Sequence, residues 1–109
     1  MPRPRNIPID VGQGTSKTIT VIFNDKPNLT AAQCLLLIKR HAVDQNYVLC
    51  KMFDLEASTK LNEGQVVWNL LPSDTENLDP RTYTYEIKII INDDVYVPLI
   101  GDFNLFDSL

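Results

Sequence analysis

Residues 71 to 91 read LPSDTENLDPRTYTYEIKIII, and this stretch decides the fold. Its first part collects Pro72, Ser73, Asp74, Asn77, Asp79 and Pro80, residues that favour turns because they preset φ or bond their own backbone. From Thr82 the pattern changes to strict alternation. Tyr83, Tyr85, Ile87, Ile89 and Ile91 fall on one side, and Thr82, Thr84, Glu86 and Lys88 on the other, which is the period of a half-buried strand inside a sheet. The corner before it is expected to close one end of a layered β-structure. Leu78 plugs the core there and Pro80 stiffens the crossing, while a tyrosine at the strand entrance buries its ring and turns its hydroxyl to the backbone of the corner.

Working outward, residues 17 to 24 (KTITVIFN) alternate Ile19, Val21 and Phe23 against Thr18, Thr20 and Ile22, a second strand. The segment 65 to 71 (QVVWNLL) places Val66, Trp68 and Leu70 on one face, with Trp68 as a core anchor. Residues 47 to 55 (YVLCKMFDL) read as a further apolar strand, and a short one begins at Ile7 or Ile9 and stops at Gly12. The turn at Asn92, Asp93 and Asp94 leads into a last strand, VYVPLIGDFNLF, where Pro98 implies an edge or a bulge and Gly101 a bend. Residues 30 to 42 stay open on periodicity. Thr30 with Gln33 matches a helix capping box, whereas the short apolar run CLLLI suits a strand buried on both faces. Residues 1 to 8 hold Pro2, Pro4 and Pro8 with Arg3 and Arg5, and read as an irregular arm.

A chain of 109 residues forms one domain, large enough to bury roughly 65% of its unfolded surface without metals or cross-links. The hydrophobic share of 44% and charged share of 22% exclude a disordered or low-complexity protein. No apolar run has the length of a membrane span, and the basic N-terminus lacks the apolar stretch of a signal peptide, so synthesis in the cytoplasm without export is expected. Cys34 and Cys50 are accordingly read as buried free thiols. The net charge of −4 is unevenly spread: residues 1 to 53 carry seven Lys/Arg against three Asp/Glu, and residues 54 to 109 three against eleven. An acidic total argues against nucleic acid as a partner. The two-signed distribution suits a solvated surface or a module that stacks on a neighbour.

No catalytic constellation emerges. His41 is the one histidine and has no partner motif, and the glycines of VGQGTSKT do not have phosphate-loop spacing. Asp93, Asp94 and Asp102 match no calcium loop, and Asn28-Leu29-Thr30, formally a glycosylation site, reads as a turn. The expectation is a non-enzyme with no cofactor and no metal.

The run from Gly64 onward resembles the small immunoglobulin-like modules of tailed bacteriophage virions, such as the N-terminal domain of upper baseplate proteins and related tail and head-fibre modules. The resemblance rests on a glycine-led strand at Gly64, an Asp-Thr corner at Asp74 and Thr75 with Leu78, the Tyr83-x-Tyr85 strand, and the final Gly101-x-Phe103 strand. The upstream half, with KTITVIF, the Leu29 to Ala31 turn and an apolar run ending in basic residues, is similar but looser, and it favours reading Cys34 to Arg40 as a strand.

The expected fold is therefore all-β: an immunoglobulin-like sandwich of about seven antiparallel strands over residues 9 to 109, with an arm at 1 to 8. Its core is expected to include Phe23, Trp68, Leu78, Tyr83, Tyr85 and Ile87. The resemblance implies a structural virion protein, made in the host cytoplasm and assembled in several symmetric copies with other virion proteins, without nucleic acid or membrane. Partner contacts are expected from Arg3 and Arg5 on the arm and from Val95, Tyr96, Val97, Phe103 and Phe106 on edge strands. A capsid decoration or head-fibre adaptor would share these features. A carbohydrate-binding module would instead need an exposed aromatic platform.

Overall fold

The computed structural model describes residues 7 to 107. The chain is mostly β. Strands β1 (Ile9–Gly12), β2 (Lys17–Ile22), β3 (Gln33–Lys39), β4 (Leu49–Met52), β5 (Gln65–Leu70), β6 (Arg81–Ile91) and β7 (Asp94–Phe106) are joined by turns, a 3₁₀ turn at Leu61–Glu63 and a single-turn helix α1 (Pro72–Thr75). They form a five-stranded sheet in the order β1-β7-β6-β3-β4 and a two-stranded sheet, β2-β5. One apolar cluster joins the two. Trp68, Val66, Leu70 and Ile19 from the small sheet meet Leu36, Ile38, Tyr83, Tyr85, Ile87 and Phe103 from the large one.

The alternation of the opening stretch is realised along β6. Tyr83, Tyr85, Ile87 and Ile89 are buried, while Thr82 is exposed and Thr84, Glu86 and Lys88 are intermediate. Phe23 and Leu78 lie at the margin of the cluster, only partly buried. Residues 33 to 39 form a strand, not a helix, paired on one side with β6 and on the other with β4. Leu36 and Ile38 face the core, and Leu37, on the opposite face, is also almost fully buried. This is why its apolar run shows no clean period: a central strand covered on both faces needs none.

The corner is held from three sides. The Tyr83 hydroxyl donates to the Asp79 carbonyl at 2.7 Å, locking strand entrance to turn. Gln13, in the β1–β2 turn, donates its side-chain amide to the carbonyls of Glu76 (3.1 Å) and Leu78 (2.7 Å), and the Gly14 amide donates to Thr75 Oγ1 at 2.9 Å. In α1, the Asp74 carboxylate accepts the Leu71 amide at 2.7 Å and Lys51 Nζ of β4 at 2.9 Å. Removing the Tyr83 hydroxyl as Tyr83→Phe is expected to cost about 1 kcal/mol, the usual net worth of one such bond. Urea unfolding would register it as a lower midpoint at unchanged slope.

Partial burial pushes the Asp74 carboxyl up, but the Leu71 amide and Lys51 outweigh it, so the net pKa is lowered. A carboxylate with a depressed folded pKa adds stability above its unfolded value and loses it as pH falls through the folded one. Asp74→Ala is therefore expected to lower stability by about 1–2 kcal/mol at neutral pH. The difference from wild type should shrink below pH of about 4, where the unfolded carboxyl protonates. A parallel offset at all pH values would show that the ion pair and cap contribute nothing.

The seven strands among the described residues match the sequence reading in number, but not every strand is antiparallel. β1 runs parallel to β7, with Ile9 opposite Phe103 and Val11 opposite Leu105. Neighbours in the chain joined by tight turns must be antiparallel; the first and last strands share no turn, so no local signal sets their direction. A second correction concerns the cysteines. Both thiols are free, but Cys34 is buried and Cys50 exposed. Cys50 sits on β4, the outermost strand, opposite Leu37 and on the solvent side of the sheet. Burial pushes the Cys34 thiol up to about 11, so it stays a protonated, inert filler at neutral pH.

Candidate interaction surface

The expected partner contacts separate into three groups. Arg3 and Arg5 lie outside the described residues. Val95, Tyr96 and Val97 stand together on the first half of β7, where Val95 is 56% and Tyr96 37% exposed. Phe103 is fully buried, a correction to its expected role as a contact. Its segment, residues 103 to 106, is no edge: β6 pairs with it on one side and β1 on the other. Phe106 remains exposed at the end of that segment, away from the Val95 group along the strand.

The inversion along β7 has a local cause. Ile87 pairs with Leu99 but Ile89 pairs with Tyr96, so two residues, Val97 and Pro98, face the single Lys88. Such a bulge absorbs a proline, which cannot donate to a ladder, and resets which side chains point inward. Beyond it Leu99, Gly101, Phe103 and Leu105 face the core. Among the described residues, Asp94 to Tyr96 before the bulge and Leu99 to Asp102 beyond it take β6 as their one strand neighbour, and β1 begins its pairing at Phe103. Among the described residues, the first half of β7 is thus an open edge, blunted by Pro98.

A second open edge was not legible from the sequence. Among the described residues, β2 pairs on one side only, with β5. The Phe23 amide donates to the Gly64 carbonyl at 3.0 Å, so antiparallel alternation turns the backbone groups of Val21, Ile19 and Lys17 towards β5 as well. Thr18, Thr20 and Ile22 therefore aim their N–H and C=O groups away from the partner strand. The opposite edge of the small sheet is handled differently. Val67 of β5 receives the Asp54 amide at 2.8 Å on its carbonyl and donates its amide to Ser58 Oγ at 3.0 Å. Asp54, in turn, accepts from Asn69 at 2.6 Å, and this bond holds its carboxyl below the usual range. The available signal for the free edge was Ile22, an apolar residue on the polar face of β2 that is 61% exposed.

Between these two edges runs a groove. Its wider part, about 420 Å³, is walled by β2 on one side and by Ile7, Pro8 and Ile9 with Leu99 on the other, with Tyr85 among its lining. Next along both walls comes an apolar pocket of about 270 Å³ formed by Phe23, Leu29, Ile89, Ile91, Tyr96 and Pro98, with Asp25 on its lining. Burial, with the charge of Asp102 adding to it, pushes the Tyr85 hydroxyl up to about 12, and this hydroxyl donates to the Ile7 carbonyl. It is a structural donor, not an acid.

The outer face of the large sheet is polar at one end and mixed at the other. Thr82 donates to Asn104 and Asn104 to Asp10, both at 2.9 Å, a ladder across β6, β7 and β1. Lys39 pairs with Glu86 at 3.0 Å, and that bond raises the lysine pKa. Tyr47, from the β3–β4 loop, lies under both Lys39 and Lys88, at 5.3 and 5.8 Å from ring centre to Nζ. Trp68, Tyr83 and Tyr85 are buried, so the aromatic groups with substantial exposure are Tyr47 and Tyr96 with Phe106, on separate parts of the surface among the described residues. His41 sits in the β3–β4 loop, its backbone amide bound to Asp44. No family model matches the chain, and no curated protein matches it in sequence.

Proposed function

We propose that the chain is an immunoglobulin-like β-sandwich and a non-enzymatic structural protein of a bacteriophage virion, docking to neighbouring baseplate or tail subunits through its N-terminal arm and an open strand edge. The fold part is supported by the strand order β1-β7-β6-β3-β4 against β2-β5 and by the Tyr83 hydroxyl bound four residues upstream at Asp79, an arrangement that immunoglobulin-type sandwiches share. The docking part rests on one observation: the first half of β7 presents Val95, Tyr96 and Val97 on backbone that, among the described residues, is paired on one side only. An edge of this kind adds a strand from another chain, with backbone bonds for affinity and alternate side chains for selection. In a symmetric particle several copies repeat the contact. The virion assignment itself comes from the likeness of the Gly64-to-Phe103 pattern to phage modules.

Mass spectrometry of gradient-purified particles from a lysate containing this protein tests the assignment. The chain should co-sediment with the particles in a fixed ratio to other virion proteins and resist a high-salt wash. Recovery only in the soluble fraction would remove the virion reading. Deleting residues 1 to 6 should abolish incorporation while the isolated domain keeps its thermal unfolding; full incorporation would remove the arm from the docking scheme.

A further inference from the structure

We infer that the groove between β2 and the β7 edge is a receptor for an extended strand of a partner protein, one that pairs with the free edge of β2 and sets a large apolar side chain, flanked by Lys or Arg, into the pocket at Phe23. The inference rests on reading the chain as a docking module, but not on the kind of particle it belongs to. Four features converge. Thr18, Thr20 and Ile22 offer outward backbone donors and acceptors in strand register, as argued from the Phe23–Gly64 bond. Unlike β7, this edge has none of the devices that discourage pairing: no proline, no bulge, and a lysine only at its first residue. The small sheet has two strands against five, so one more strand on β2 would lie over the groove and cover it.

The fourth feature selects the occupant. The groove ends in an apolar pocket whose walls continue those of the groove, Ile22 passing to Phe23 on one side and Leu99 to Pro98 on the other. A strand lying on β2 therefore has one inward position over this pocket, and its volume of about 270 Å³ suits a large side chain such as Phe, Leu or Met. Charge at the mouth is mainly acidic. Asp25 lines the pocket, Asp94 pairs with the pocket residue Ile91, and Asp93 is exposed in the same hairpin; Lys26 is the cation next in sequence. A partner with a cation beside its apolar anchor matches that field, and an acidic one is repelled.

Selection of a displayed random dodecapeptide library against the immobilised full chain tests this. The expected outcome is a consensus of alternating β-branched residues with one large apolar residue next to Lys or Arg. Thr20→Pro removes an outward N–H without touching a bond to β5, a substitution that edge strands tolerate. It should weaken the selected peptide about tenfold or more, since the pairing is lost while the pocket is left intact. Asp25→Lys, which leaves the backbone alone, should weaken it several-fold and reduce its salt dependence. Amide exchange at Thr18, Thr20 and Ile22 should slow on binding. Absence of a consensus, or equal binding to Thr20→Pro and Asp25→Lys, would overturn the inference. So would sedimentation showing that the chain alone forms oligomers lost in Thr20→Pro, because a second copy would then fill the groove. Particle association is measured separately, so a soluble chain that still binds such peptides would refute only the virion reading.

Discussion

Trp68→Ala is expected to lower the unfolding free energy by about 3–5 kcal/mol, the largest single-residue loss in this chain. The side chain is completely buried at the centre of the small sheet, where β5 meets the core-facing residues of the large one. Truncation removes most of an indole from a cluster that cannot close over the gap, because Val66 and Leu70 flank it on a paired strand. In a domain of this size that loss corresponds to a fall in midpoint temperature of more than about 10 °C. Trp68→Phe separates two contributions. The indole Nε1 is buried and meets no acceptor among the described residues, an uncompensated donor that costs stability as it stands. Phenylalanine loses volume but also removes that donor, so Trp68→Phe should cost about 1–2 kcal/mol, less than its volume change implies. Denaturant unfolding followed by circular dichroism reads both. A Phe variant as damaged as the Ala variant would mean that the indole N–H is bonded after all.

The residues that could be read in advance are those whose environment repeats with a local period. Tyr83, Tyr85 and Ile87 alternate with polar neighbours because β6 has one face on the core, and the same holds for Ile19 and Val21 on β2. The Tyr83 lock was legible for a similar reason: its partner, Asp79, is four residues away. Leu35 to Ile38 gave no such answer, since burial on both faces erases the period that distinguishes strand from helix.

The candidate surface was read least well, because an edge is defined by what does not pair with it. Phe103 looked like edge material until β1, almost a full chain length away, covered its strand. Thr18 and Thr20 looked like ordinary solvent-facing residues, while the side of β2 left unpaired follows from the position of β5 and from nothing within β2 itself. Cys50 belongs to the same class. Its apolar neighbours suggested an interior, but β4 is the last strand of its sheet among the described residues, and Cys50 is exposed there. Long-range strand order, not local composition, sets each of these.

Gly101→Ala is expected to be nearly as damaging as Trp68→Ala, for the opposite reason. A methyl group built at this position would stand 2.8 Å from Tyr85 Cε1, and 2.9 Å from both the Tyr85 hydroxyl and the Ile7 carbonyl oxygen. None of these can retreat cheaply. The Tyr85 ring is completely buried, and the Ile7 carbonyl is backbone, held by the Tyr85 hydroxyl. The chain must pass this close because β1 joins the sheet beside Phe103, and the residues just before it cross over Gly101 at the lip of the groove. Overpacking of this kind costs about 1–3 kcal/mol, and loss of the Tyr85–Ile7 bond adds about 1 kcal/mol. Gly101→Ala should therefore destabilise by about 2–4 kcal/mol and open the start of β1, seen as faster amide exchange at Ile9 and Val11. Tyr85→Phe removes one of the three obstructions together with the bond. Its cost and that of Gly101→Ala should add to more than the double variant loses, by about 1 kcal/mol or more, as expected for groups in direct contact. A Gly101→Ala protein within about 0.5 kcal/mol of wild type, the range of an ordinary surface change, would mean that Ile7 does not cross there. The wall that β1 contributes to the groove would then be misplaced.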